Sequence, residues 1–122
     1  MSRYEQFQNF RSRLNDRILT DAPGRVSGTL NTRRFFALDT ATYKAGALDV
    51  PTKELLGLVA SLVLRCDDCV AYHIDRCVAE GCTDEQIWET LDVGLIVGGS
   101  IVIPHLRRAV DFLDECRARR PG

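Results

Sequence analysis

Residues 51–73 read PTKELLGLVASLVLRCDDCVAYH, and the periodicity of this stretch decides the fold. Pro51 suits the first turn of a helix, where its missing N–H would have had no intrahelical partner. Glu54, Leu55, Leu56, Leu58, Val59, Leu62, Val63 and Leu64 follow, with apolar residues on most faces. A helix of this kind is expected to be central and buried. The pattern breaks around Arg65–Asp68, where Asp67 or Asp68 can open a new helix. That helix continues to Glu80 and stops at Gly81, a natural helix C-terminal residue.

Working outward, nearly every other segment also reads as helix. Tyr4, Phe7, Phe10, Leu14 and Ile18 recur every three or four residues, an amphipathic stripe over 3–19. Asp21, Pro23, Gly24 and Gly28 make 20–31 a loop. A second helix is expected over Thr32 to Lys44, ended by Gly46. Thr83 and Gln86 form a capping box that opens a fifth helix through Ile87, Trp88, Leu91 and Leu95. Gly98 and Gly99 mark a break or a close crossing. A last helix covers roughly Ile101 to Arg119, with Pro104 near its start. Val and Ile enrichment near 93–103 leaves some strand character, which the absence of strand alternation resolves as helix. The expected fold is all-α: one domain over residues 1–122, built as a compact bundle of about six helices.

Composition narrows the function classes. Hydrophobic residues make up 45% and charged residues 27% of the 122, an ordinary globular balance. A net charge of −1 gives no electrostatic footprint for nucleic acid. No apolar signal segment opens the chain, and the stretch Val93–Pro104 is too short to span a bilayer. A cytoplasmic protein without membrane association is therefore expected. Five cysteines, an odd number, argue against a fully paired secreted framework. In a reducing compartment a CxxC pair points to redox chemistry or metal rather than to a staple.

Cys66, Cys69 and His73 carry the chemistry. On a helix beginning near Cys66, Cys69 lies about 60° away, with His73 and Cys77 about 20° to either side. All four then share one arc of about 80°. A thiolate, not a thiol, attacks a disulfide or peroxide, and a free cysteine with a pKa of about 8.5 needs help near neutrality. The helix N-terminus offers unpaired N–H groups to Cys66 and Cys69. His73, one turn after Cys69, can accept its proton. Glu54, if the preceding helix packs alongside, can hold the imidazole tautomer. Asp67 and Asp68 lie between the thiols and should oppose thiolate formation unless they point outward. His105, after Pro104, is read as a packing or subunit-contact residue, and Cys77, Cys82 and Cys116 as structural thiols.

Glu54, eleven residues, Cys66-x-x-Cys69, three residues and His73 together resemble a family signature. It is that of the alkyl hydroperoxidase D-like (AhpD-like) branch of the carboxymuconolactone decarboxylase family. Glu80-Gly81-Cys82-Thr83-Asp84-Glu85-Gln86-Ile87 resembles that family's Gly-x-Thr-x-Glu junction, and Gly98-Gly99 its glycine pair. The match covers about residues 35–115, leaving 1–31 as an N-terminal helix and loop without mapped chemistry. It implies an all-helical fold assembled as a homotrimer or homohexamer. It also implies thiol-dependent peroxidase or disulfide reductase activity, with Glu54, His73, Cys69 and Cys66 as the relay. No tightly bound cofactor or metal is implied. The substrate would be a peroxide or small disulfide, and an external dithiol donor, a lipoyl group or thioredoxin-like protein, would restore the pair. Cys77 and Cys82 fall outside the signature, and Asp68 stands where some members carry a histidine.

Two other readings compete. Cys66, Cys69, His73 and Cys77 offer four soft ligands for a metal-binding or redox-sensing protein without turnover. Yet one straight helix cannot wrap tetrahedrally around one zinc. The third reading is a non-enzymatic helical assembly with incidental thiols. Haem attachment is excluded, because no histidine directly follows Cys69.

Overall fold

The structure, a computed structural model, describes residues 1–120. It is all-helical, and among the described residues the only β pairing is an isolated bridge between Ala22 and Arg25. Among the described residues, no helix is long and apolar enough to cross a membrane. The chain divides into two compact units, one over Met1–Lys44 and one from Ala45 onward.

The first unit holds α1 (Arg3–Leu19) and α2 (Leu30–Thr42). Ser2 and Glu5 close a capping box at the start of α1, satisfying backbone donors that would otherwise lack partners. Thr29 and Thr32 do the same for α2, which is why that helix starts two residues before Thr32. Arg33 fastens the loop between them, donating to Leu19 O, Gly28 O and Asp21 Oδ1.

The second unit holds α3 (Val50–Val63), α4 (Asp67–Ala79), α5 (Asp84–Gly98) and α6 (Ile103–Arg119). A short 3-10 turn, Ser100–Val102, precedes α6, so the last helix begins two residues later than its apolar pattern suggests. Helix α3 packs on α4 and α5, and α4 packs on α6. The core is built from Leu58 and Leu62 of α3, Ile74 of α4, Ile87 and Leu91 of α5, and Phe112 of α6. Burying each such side chain contributes about 1.5–3 kcal/mol. Helix α3 is central, but it buries one stripe only: Leu56 and Leu64 remain exposed in the single chain.

Two corners of this unit have the same construction. At the end of α4, Cys82 N–H donates to Cys77 O and Gly81 N–H to Val78 O, a Schellman cap around Gly81 at φ 86. At the end of α3, Cys66 N–H donates to Ser61 O and Arg65 N–H to Leu62 O. Here the left-handed position is Arg65, at φ 60, where a side chain costs about 1–2 kcal/mol.

Candidate active site

The Arg65 corner places Cys66 directly at the entrance of α4. Cys66 is not in the helix: it is the N-cap, with extended backbone (φ −100, ψ 100). Its Sγ accepts a hydrogen bond from the Cys69 N–H at 3.4 Å. The helical wheel that put Cys66 on one arc with His73 and Cys77 therefore applies only from Asp67 onward. The N-cap position serves the thiol differently, because a backbone donor points at the sulfur. An N–H donor favours thiolate over thiol. Cys66 is half-buried and Cys69 exposed, and all five cysteines are free thiols.

His73 lies on the inner face of α4, with Val70, Ile74 and Cys77. Its Nδ1 is 2.9 Å from Glu54 Oε1, and both side chains are buried. A carboxylate only accepts, so Nδ1 carries the hydrogen, and in the neutral ring Nε2 is then the acceptor. This is the tautomer a general base needs. Tyr72 meets the imidazole edge-on, with ring centroids 5.1 Å apart.

Three partners of this site were not read from the sequence. The first is Gly57, one turn after Glu54 on α3. A Cβ there would lie 2.5 Å from His73 Cε1 and 2.7 Å from Nε2, so the imidazole occupies the space a side chain would need. The available signal was a glycine inside a strong helix, where it costs about 1 kcal/mol relative to alanine. The second is Arg76, whose Nε is 3.9 Å from Glu54 Oε2 and whose Nη2 binds Glu80 at 2.5 Å. It puts positive charge beside the buried carboxylate.

The third is a second acid–imidazole pair. His105 Nδ1 is 2.7 Å from Asp67 Oδ1, and Arg108 Nη1 is 3.4 Å from Asp67 Oδ2. The charge next to Cys66 is thus engaged by α6, which offsets the expected opposition of Asp67 to a thiolate. Asp68 is exposed. Among the described residues, no three His, Cys, Asp or Glu side chains converge in a group that could hold a metal.

The remaining thiols are of another kind. Burial pushes the Cys116 thiol up to about 12, with Asp75 adding to the effect. Burial likewise raises Cys77 and Cys82. Little of their thiolate forms at neutral pH, so they react slowly.

Residues 30–112 match the model of the carboxymuconolactone decarboxylase family. Among solved structures, a protein of this family from Thermotoga maritima (TM1620) is 60% identical. It superposes with a TM-score of 0.84, over 93% of this chain and 91% of that one. A role in antioxidative response has been suggested for it. A Legionella pneumophila family member is 25% identical, with a TM-score of 0.67 over 92% of this chain and 88% of that one. In sequence, uncharacterized protein 4 of the Paracoccus denitrificans cox locus is 33% identical over 66% of this chain and 73% of its own. The alkyl hydroperoxide reductase AhpD of Corynebacterium aurimucosum is 38% identical over 50 residues, which are 41% of this chain and 28% of the reductase. An all-helical chain whose residues 30–112 fit that model, and which shares its fold with these structures, belongs to the carboxymuconolactone decarboxylase family.

Proposed function

We propose that this chain is a thiol-dependent oxidoreductase that reduces peroxides or small disulfides through Cys66 and Cys69. Glu54 and His73 act as its proton relay. The observation that carries the reading is the buried Glu54–His73 pair at 2.9 Å, which joins α3 to the helix whose N-cap is Cys66. A buried imidazole with its tautomer set by a carboxylate is a base prepared for use. Two thiols at a helix N-terminus are the groups that use it. The similarity to AhpD over 50 residues and the antioxidative role suggested for the Thermotoga relative point the same way.

In the peroxide reaction, one thiolate attacks the terminal oxygen and the O–O bond breaks. The alkoxide leaves and takes a proton through His73. The sulfenic acid is then attacked by the second thiol, releasing water and forming Cys66–Cys69. An external dithiol, such as a lipoyl group or a thioredoxin-like protein, reduces that bond by exchange. With a disulfide substrate, the first step is a mixed disulfide. We also propose a homotrimer or homohexamer. Leu64, Ile96, Val97 and Ile101 are exposed in the single chain, apolar side chains that a second copy would cover. Peroxide consumption with a dithiol donor tests the reading. Cys66→Ser and Cys69→Ser should each abolish turnover, and undiminished turnover in both variants rules the site out.

A further inference from the structure

Helix α4 carries a second cysteine pair at its other end. Cys77 sits in the last turn, and Cys82 is the first residue past Gly81, where the chain turns toward α5. Both are buried, at 0% and 2% exposure. The Cys82 N–H donates to Cys77 O at 2.9 Å. With standard bond lengths that bond holds the two Cα atoms within about 7 Å. Disulfides span Cα separations of about 4.4–6.8 Å. Cys82 Sγ lies 4.0 Å from Pro51 O, and Arg117 donates to Cys82 O at 2.7 Å.

We infer that Cys77 and Cys82 are a second redox pair, an oxidation-driven staple that closes the α4–α5 corner. It differs from Cys66 and Cys69 in rate. Those two stand at the positive end of the helix dipole and are half-buried or exposed. Cys77 and Cys82 stand at the negative end in an apolar setting, so little thiolate forms. Of the two, Cys82 is the first to react: burial raises its thiol, and the Arg117 guanidinium held at its carbonyl opposes that rise. The Cys82 thiolate takes the terminal oxygen of a hydroperoxide, the O–O bond breaks, and the alkoxide leaves as alcohol after taking a proton. The Cys77 sulfur then attacks the sulfenic sulfur. The S–O bond breaks, and hydroxide leaves with the Cys77 proton as water. Two thiols and one hydroperoxide give one disulfide, one alcohol and one water. Because it forms more slowly, the staple closes under oxidation that the outer pair has failed to clear.

The inference rests on the proposed function only for its oxidant, and its readout is not turnover. Cleavage after Arg65, Arg76 and Arg107 puts Cys66 and Cys69 in peptide 66–76 and Cys77 and Cys82 in peptide 77–107. The wild-type protein is treated with hydrogen peroxide, unfolded, blocked with a thiol reagent and digested. Peptide 66–76 should lose both labels first. Peptide 77–107 should lose both at least about tenfold more slowly, with a mass two hydrogens lower, and regain both after reduction. The inference is overturned if 77–107 keeps its labels after exposure about a hundredfold longer than 66–76 needs. It is equally overturned if 77–107 is oxidised to separate sulfinic acids, or is linked between chains. Pairing in 77–107 without catalytic turnover would sink the proposed function alone. Turnover without that pairing would sink the staple alone.

Discussion

Gly57→Ala sets the relay against a single methyl group. The added Cβ would lie 2.5 Å from His73 Cε1, 2.7 Å from Nε2 and 2.8 Å from Nδ1. Ordinary carbon contacts need about 3.5–4.0 Å, so the imidazole must retreat by about 1 Å. A shift of that size stretches the 2.9 Å bond from Nδ1 to Glu54 beyond hydrogen-bonding range. Overpacking of this kind costs about 1–3 kcal/mol, while alanine returns about 1 kcal/mol of helix propensity. Stability should therefore fall by no more than about 2 kcal/mol in urea titration. Turnover should fall far more, by about 100-fold, because general-base catalysis contributes at least that factor. The variant is assayed for peroxide consumption with a dithiol donor, alongside its unfolding curve. Wild-type turnover in a folded Gly57→Ala protein would refute the relay, since His73 would then not need its place against α3.

Three further outcomes are expected. Arg65→Gly should stabilise the fold by about 0.5 kcal/mol and Gly81→Ala should destabilise it by about 1–2 kcal/mol. Urea midpoints moving in the same direction would contradict the shared Schellman geometry. His105→Ala leaves Asp67 with Arg108 alone, so alkylation of Cys66 at pH 7 should slow severalfold; an unchanged rate would mean Asp67 does not act on the thiol. The Cys116 pKa is raised on folding, so its stabilisation is complete below the unfolded thiol pKa and is lost as pH rises toward about 12. Between pH 9 and 11, Cys116→Ala should flatten the fall of unfolding free energy by about 1 kcal/mol per pH unit. An unaltered slope would show that this thiol titrates normally.

Local signals were legible in the sequence wherever their physics is local. The Thr83–Gln86 capping box, Pro51 near the start of α3 and Gly81 at the end of α4 each act within one turn, and each stands where the pattern put it. Glu54 and His73 could be paired from spacing because a helix brings a residue to one face and two adjacent helices bring two faces together. The rest depended on tertiary neighbours. Arg65 carries no glycine to announce a left-handed corner, so Cys66 read as helical when it is the cap. Gly57 gains its meaning only from the ring packed against it. Asp67 read as a charge opposing thiolate until α6 supplied His105 and Arg108. The Thr29–Thr32 cap of α2 was missed because threonine at the third position of a capping box is a weaker signal than glutamate or glutamine.

A single-turnover titration tests the central claim most directly. Reduced protein receives one equivalent of hydroperoxide per chain, and peptide 66–76 is weighed before and after a dithiol is added. One peroxide should disappear per chain, with Cys66 and Cys69 losing both labels together and regaining them on reduction. Peroxide consumed while both thiols in that peptide remain free would contradict the claim.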